Sequence, residues 1–244
     1  MNKLFIGIVV ALMLPLSAAA ADSAKKGSAP KAQPAPEATV EPKPLPTPEE
    51  AVRMLAELDK AVQTLRFDFE QTLFFDETGL TREVAGNVRF EKPGKIRIEH
   101  SKPQPQIVYT DKKIIIIYKP ADAQAVKTSW QQWLSQQSAT LTGIADLGDY
   151  ATLAQKHDIS LSRDKQGRLL FALRPKNNPK AYTLTLTLAE GDYFPGALTF
   201  TVGKTRFETV IKNVARNEAI PAEVFEFKQP PGVDLIDLTE PARQ

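Results

Sequence analysis

Apolar residues follow a helical period at the start of what reads as the folded part of the chain. They recur every three or four positions, at Val52, Leu55, Leu58, Val62 and Leu65. This spacing places them on one face of an amphipathic helix. Just before them, Thr47, Pro48 and Glu50 stand where an N-cap, a first helical residue and the glutamate of a capping box belong. The pattern therefore predicts a helix that begins at Pro48 and packs on another element.

The apolar period changes to two after Arg66, which is typical of strands with one buried face. The predicted strands are residues 67–75, 84–90, 96–98, 107–110 and 114–118, and then 158–163, 169–174, 182–188, 197–202, 205–214 and 224–227. Short turns of Gly, Asn and Asp between many of them favour antiparallel hairpins. Residues 129–156 predict an interrupted helical segment between the two series. We therefore expect a mainly β fold with some helix (α+β), in a single sheet.

The two ends of the chain differ from this central part. Lys3, the apolar residues 4–16 and the alanines up to Ala21 have the pattern of a cleaved secretory signal peptide, over residues 1–21. The alternative is an uncleaved membrane anchor. Residues 22–47 are rich in Pro and Ala without apolar periodicity, which predicts a disordered linker. The folded domain is expected over residues 48–238, followed by a C-terminal tail over residues 239–244.

Composition removes several classes of function. The chain has 31 Lys and Arg against 29 Asp and Glu, a net charge of +2, so it lacks the basic excess of a nucleic-acid-binding protein. It has no cysteine, which excludes disulfides, thiolate catalysis and lipid attachment at a cysteine of its own. Neither His100 nor His157 lies in a recognisable catalytic or zinc-binding motif. We therefore expect no catalytic residues, no metal and no cofactor.

The apolar residues are more numerous than a sheet with one wet face requires. Residues 114–118 read Ile-Ile-Ile-Ile-Tyr, so this strand is apolar on both faces, and both faces must be covered. The residues alone leave two interpretations open. The strand lies in the middle of ordinary packing on both sides, or one face lines an apolar cavity for a ligand that resembles a lipid.

Four stretches match, in order, the motifs of one protein family. They are Leu65-x-Phe67-x-Phe69-x-Gln71-Thr72, then Gly86-x-Val88-x-Phe90-x-Lys92-Pro93-Gly94 with Ile96 and Ile98 after it, then Asp111-x-Lys113 with Tyr118-x-Pro120, and finally Phe225-x-Phe227-x-x-Pro230-x-Gly232-Val233-Asp234. Together they resemble the LolA-type periplasmic outer-membrane lipoprotein carrier proteins, over residues 48–238. The resemblance implies a curved antiparallel sheet that forms an incomplete β-barrel of about 11 to 12 strands. An N-terminal helix and short lid helices would cover a hydrophobic cavity.

The same resemblance implies a function without catalysis. In this family the cavity shelters the acyl chains of lipoproteins that cross the periplasm of a Gram-negative bacterium. The expected partners are lipidated proteins or other acylated lipids, an inner-membrane donor complex and an outer-membrane acceptor, and the protein is expected to be a monomer. Two alternatives remain: a periplasmic lipid or glycan hydrolase that uses carboxylates or His100 on the same sheet, and an envelope adaptor without a cavity.

Site residues follow from the resemblance in two groups. The cavity residues are Phe69, Val88, Phe90, Ile96, Ile98, Ile116 and Tyr118, and the lid residues are Lys92, Trp130, Trp133, Leu134 and Leu141. Family members usually have an arginine at the position of Lys92, which holds the lid through hydrogen bonds to its backbone. Lysine keeps the charge but lacks the planar fork of donors. Ile98 and Ile116 replace frequent aromatic residues, and Lys112 replaces a turn glycine.

Overall fold

A computed structural model of the chain describes residues 44–135, 150–189 and 191–239. The helices are α1 (Pro48–Ala61), α2 (Trp130–Ser135) and α3 (Tyr150–Lys156), with 3-10 helices at Pro120–Asp122 and Ala222–Phe225. The strands are β1 (Thr64–Phe75), β2 (Leu80–Glu91), β3 (Lys95–Lys102), β4 (Gln106–Thr110), β5 (Ile114–Lys119), β6 (Gln124–Ser129), β7 (His157–Arg163), β8 (Leu169–Pro175), β9 (Thr183–Leu188), β10 (Pro195–Val202), β11 (Thr205–Arg216) and β12 (Asp234–Asp237). In these ranges, no helix is long and apolar enough to cross a membrane.

All the strands of the described residues belong to one open, curved sheet of 12 strands, in the order β12-β6-β5-β4-β3-β2-β1-β11-β10-β9-β8-β7. Strands β1 to β6 form one antiparallel meander and β7 to β11 a second. The two meanders join where the long strand β1 pairs with β11, and β12 is added at one edge, parallel to β6. The predicted fold class, mainly β with a few helices in a single antiparallel sheet, is confirmed.

Three predictions about the elements need correction. Residues 224–227 do not form a strand: Val224 and Phe225 end a 3-10 helix that begins after Pro221. Strand β6 was not predicted, because Gln124–Ser129 has too few apolar residues for a clear alternation. Strand β12 was not predicted, because a parallel pairing with a strand 110 residues away leaves no hairpin signal in the sequence.

Helix α1 begins as predicted. The Thr47 side chain accepts a hydrogen bond from the Glu50 N–H (3.2 Å), and the Glu50 carboxylate accepts one from the Thr47 N–H (2.8 Å). These two bonds close the capping box and satisfy backbone groups that a helix start leaves unpaired. Ala51 and Leu55 are buried and belong to the core, so the apolar stripe faces the sheet. The helix contacts α3 and β7, which brings it over the second meander as well.

The two faces of the first meander are covered by different parts of the chain. The inner face, which carries Phe67, Val88 and Ile98, packs into the core with helices α1 and α2. The outer face is covered by the C-terminal segment, residues 218–238, in which the Phe227 ring lies 5.7 Å from the rings of both Tyr109 and Tyr118. This double cover explains why β5 is apolar on both faces.

Gly86 marks an irregularity in the centre of the inner face. The register between β2 and β3 shifts between Ala85 and Gly86, and Gly86 lies opposite both Phe69 of β1 and His100 of β3. A methyl group at this glycine would collide with the backbone carbonyl of Glu99. Because glycine has no side chain, the backbones of β2 and β3 can approach each other closely here. Such a close approach is a common reason for a glycine inside a strand.

Lys112 occupies the turn between β4 and β5 with a φ of 67°, in the left-handed region. For a residue with a side chain, this backbone conformation is less favourable than for glycine by about 1 kcal/mol of free energy. We therefore expect Lys112→Gly to raise the free energy of unfolding by about 0.5 to 1 kcal/mol, measured by urea denaturation. Lys113→Gly is the matched control, because Lys113 is not among the residues with positive φ. A gain of equal size in that control would contradict the explanation.

Candidate functional site

Five of the seven predicted cavity residues lie together on the inner face of β1, β2 and β3. Val88 pairs with Ile98, Phe90 pairs with Ile96, and Phe69 lies opposite Gly86. None of the five side chains is more than 2% exposed. They form one continuous apolar surface at the part of the sheet over which α1 and α2 pack.

The other two predicted cavity residues lie elsewhere. Ile116 pairs with Tyr109, and Tyr118 contacts Phe227 of the C-terminal segment, so both side chains are on the outer face. The inward residues of β5 are Ile115, which is buried, and Ile117. Because successive side chains of a strand alternate between faces, a run of four isoleucines carries no signal for which parity points inward.

Lys92, the predicted lid residue, connects β2 to the end of α1. Its Nζ donates hydrogen bonds to the backbone carbonyls of Asp59 and Lys60, the second at 3.3 Å. Its own N–H donates to the Gln63 carbonyl at 2.9 Å. The last carbonyls of a helix have no partner within the helix and carry partial negative charge, so a lysine ammonium is well suited to bind them. Lys92 therefore attaches the carboxyl end of α1 to the sheet.

The predicted lid residues of α2 pack against the same inner face. The rings of Trp130 and Trp133 stack at 5.1 Å, and Trp133 is buried in the core while Trp130 and Leu134 pack partly against it. The Trp130 N–H donates to the Lys113 carbonyl at 2.8 Å, which fixes the start of the helix beside β5. Leu141, the remaining predicted lid residue, lies outside the described residues.

A row of polar side chains crosses the inner face at the far end of the strands from Lys92. This polar band consists of Gln106 of β4, His100 of β3, Gln71 of β1 and Thr209 of β11, each at most 5% exposed. Gln71 Nε2 donates to Thr209 Oγ1 at 2.9 Å, and His100 pairs with Gln106 in the strand register. This band was not predicted from the sequence. Its signal was present, since Gln71 and His100 stand in phase with the inward residues Phe69 and Ile98.

Both histidines have a lowered pKa. Burial lowers the pKa of His100, and an interaction with the Gln106 backbone offsets part of that effect. Burial also lowers the pKa of His157, whose ring nitrogens contact the Leu153 carbonyl at 3.2 Å and the Tyr182 hydroxyl at 2.6 Å. Neither histidine contacts a carboxylate in the contacts that the structure describes.

These two shifts predict how stability depends on pH. A histidine whose pKa is lower in the folded state than its unfolded value of about 6.5 binds a proton more readily when unfolded. We expect the free energy of unfolding to be flat above about pH 7 and to fall as the pH decreases through 6.5. Urea denaturation between about pH 7.5 and 5.5 measures this, and His100→Phe should reduce the decrease. The pKa of Asp237, lowered to about 2 by hydrogen bonds from Lys127 and Thr239, acts only at much lower pH.

A small cleft lies on the outer face. Its volume is about 90 Å³, and it lies between the sheet and the C-terminal segment, with Arg66, Arg89 and Glu218 in its wall. Sites for small organic ligands have volumes of about 300 to 1,000 Å³, so this cleft does not accommodate an acyl chain. The described ranges also contain no group of three His, Asp or Glu residues that could hold a metal ion.

Comparison with known proteins identifies the family of this chain. The family model of the outer membrane lipoprotein carrier protein LolA matches residues 60–228. The outer-membrane lipoprotein carrier protein of Pseudomonas fluorescens is 30% identical over 191 residues, which is 78% of this chain and 88% of that protein. The corresponding protein of Pseudomonas entomophila is 31% identical over 191 residues, 77% of this chain and 88% of its own. A solved LolA superfamily protein from Nitrosomonas europaea is 9% identical with a TM-score of 0.43, over 75% of this chain and 99% of that one. The chain therefore belongs to the LolA family of outer membrane lipoprotein carrier proteins.

Proposed function

We propose that this protein carries lipoproteins through the periplasm of a Gram-negative bacterium by enclosing their acyl chains between the inner face of the sheet and the helices. It receives this cargo from an inner-membrane donor and releases it to an outer-membrane acceptor, as a monomer and without making or breaking a covalent bond. Residues 1–21 direct secretion and are removed, and residues 22–47 form a linker before the domain.

The observation that carries this proposal is a large apolar face under a helix that is attached by few polar bonds. Phe67, Phe69, Phe90, Ile96 and Ile98 form one apolar surface, and α1 is attached to β2 through hydrogen bonds from Lys92. Each methylene buried from water contributes about 0.8 kcal/mol, whereas a hydrogen bond to a charged group contributes about 1.5 to 3 kcal/mol. An acyl chain of about ten methylenes therefore outweighs the loss of the Lys92 bonds, and it must also replace the apolar contacts of Ala51 and Leu55 with the sheet.

The C-terminal segment covers the outer face of the sheet, which supports entry of the cargo from the side of the sheet that carries α1 and α2. Phe227 lies between Tyr109 and Tyr118, and strand β12 pairs with β6 through four residue pairs. Opening this side would break a strand pairing and separate packed rings, whereas lifting α1 breaks side-chain contacts and the Lys92 bonds. We infer that the cargo enters beside α1 and α2.

Tryptophan fluorescence tests the proposal directly, because the only two tryptophans of the chain, Trp130 and Trp133, lie in α2. On titration with a peptide carrying a long acyl chain, we expect a shift of the emission maximum and a change in quenching by acrylamide. The chain would insert beside the stacked rings and change their exposure. The same peptide without the acyl chain is the ligand control and should leave the spectrum unchanged.

A matched pair of variants separates the two faces. Ile98→Phe adds volume on the inner face and should weaken acyl-peptide binding, while Ile116→Phe makes the same change on the outer face and should not. Bound acyl peptide with unaltered tryptophan emission, or equal effects of the two variants, would contradict entry beneath α2.

The two alternatives make different predictions. A hydrolase would release fatty acid from an ester-linked acyl peptide, but the ring of His100 contacts Phe69 edge to face at 5.8 Å rather than a carboxylate, which favours a carrier. An adaptor with a filled core would bind no acyl chain. Native mass spectrometry of protein purified from membranes distinguishes these cases, since co-purified lipid supports the carrier and a bare mass supports the adaptor.

A further inference from the structure

The inner face of the first meander is divided into an apolar part and a polar part. Phe90 and Ile96 lie at the end of the strands next to Lys92, and Val88 and Ile98 follow them. At the opposite end, the polar band of Gln71, His100, Gln106 and Thr209 crosses β1, β3, β4 and β11. A surface that binds only hydrocarbon would gain nothing from four buried polar side chains, because removing each of them from water costs free energy.

His100 is the member of this band whose hydrogen bonding is incomplete. It is 2% exposed, and neither ring nitrogen forms a hydrogen bond of acceptable geometry with the described residues. The interaction with the Gln106 backbone serves at most one of the two nitrogens. At least one buried nitrogen of a neutral imidazole therefore stays without a partner, whereas Gln71 and Thr209 satisfy each other. An unpaired buried polar group usually costs about 1 to 3 kcal/mol.

The surroundings hold the His100 ring in place. The ring meets Phe69 at an interplanar angle of 85°, and it reaches Phe69 across Gly86, which has no side chain to stand between them. Such an edge-to-face contact fixes the plane of the imidazole, so its nitrogens keep a constant direction. A neutral imidazole offers one donor and one acceptor, and a secondary amide can pair with either.

We propose that the polar band binds the acyl linkage of the cargo, the amide or ester at the head of the chain, with His100 as its hydrogen-bonding partner. This inference rests on the proposed function and adds the orientation of the ligand: the hydrocarbon lies toward Lys92 and the linkage lies at His100. The substrate class is then an acyl amide or ester rather than any apolar chain.

Two lipids of the same length test this orientation. N-decyldecanamide carries a secondary amide between two ten-carbon chains, and didecyl ether carries an ether oxygen at the same place. Their affinities are measured by displacement of a fluorescent fatty acid from the full chain. Because the amide loses more hydration than the ether, we compare the ratio of amide to ether affinity, the amide preference, between proteins. We expect the amide preference of wild-type protein to be about tenfold higher than that of protein without the His100 nitrogens, since pairing one otherwise unpaired buried group corresponds to about that factor.

Variants assign this preference to His100. His100→Phe keeps the ring against Phe69 but removes both nitrogens, so we expect the amide preference to fall about tenfold while ether binding stays within about threefold. His100→Gln, which retains a donor and an acceptor, should keep part of the preference. His157→Phe is the matched control at the other buried histidine, and it should keep the full preference because His157 lies on β7 with its own partners.

The outcomes separate this inference from the proposed function. If a folded His100→Phe has the same amide preference as wild-type protein, the carrier role stands and the polar contact is wrong. If His100→Phe does not fold, His100→Leu, which also removes both nitrogens, gives the same comparison. If neither lipid displaces the fatty acid, the proposed function fails and this inference fails with it.

Discussion

Replacing Gly86 by alanine is expected to lower the free energy of unfolding by about 3 to 5 kcal/mol, the largest effect among the substitutions considered. The added methyl group meets the backbone carbonyl of Glu99 in the next strand, and no side-chain rotation can relieve a clash with backbone. Strands β2 and β3 must then separate, in the middle of the sheet and beneath the contact of Phe69 with His100. Urea denaturation followed by circular dichroism gives the measurement.

Gly196 provides the control for this substitution. It lies in β10, and a methyl group there would meet no atom within 4 Å. We expect Gly196→Ala to change the free energy of unfolding by less than about 0.5 kcal/mol. Equal losses at the two glycines would show that the contact with Glu99 is not the cause.

Replacing Lys92 by methionine is expected to cost about 2 kcal/mol and to free the carboxyl end of α1. Methionine has a similar length but no donor, so the carbonyls of Asp59 and Lys60 lose the ammonium group. Amide hydrogen exchange in α1 should become at least about tenfold faster, while exchange in β1 and β2 changes little. Lys92→Arg should preserve slow exchange, because its guanidinium offers more donors.

Lys95 is a suitable comparison, because it also follows β2 closely in the chain but acts on the surface. Its ammonium pairs with Glu91 at 2.7 Å, and its side chain is 41% exposed. Exposed ion pairs of this kind contribute about 0 to 1 kcal/mol. Faster exchange in α1 after Lys95→Met, as large as after Lys92→Met, would mean that general loss of charge rather than the helix attachment is responsible.

The sequence was sufficient for the parts of the fold that local pattern determines. The capping box at Thr47 and Glu50 and the strands of both meanders other than β6 follow from spacing alone, whereas the inward parity of Val88, Phe90, Ile96 and Ile98 followed from the family resemblance. The parity of residues 114–118 follows from neither, because both faces of β5 are apolar. Which isoleucines point inward depends on Phe227, which lies more than 100 residues later in the chain and covers the outer face. The alternation of residues within β5 gives no information about this contact.

The burial of the polar band could not be predicted from the sequence, for a different reason. Gln71 and His100 have inward parity, but a polar residue at such a position is equally consistent with a strand end that reaches solvent. Their burial depends on strands β4 and β11 packing on either side, which are contacts distant in sequence. Lys92 was identified through the family resemblance, and its bonds to α1 explain why a charged residue stands in phase with Phe90.

The position of the C-terminal segment sets an order on the folding of the chain as it is synthesised from its amino terminus. Strands β4 and β5 emerge more than 100 residues before Phe227 and β12, which cover Tyr109 and Tyr118 and pair with β6. Until those last residues have been synthesised, the outer aromatic rings and the edge of β6 are exposed to other chains. Strand β1 likewise lacks its partner β11 during this time. Folding dominated by such distant pairings is slow. The nascent protein therefore passes through a period in which aggregation competes with folding, and chaperones that bind exposed strand edges would act during that interval.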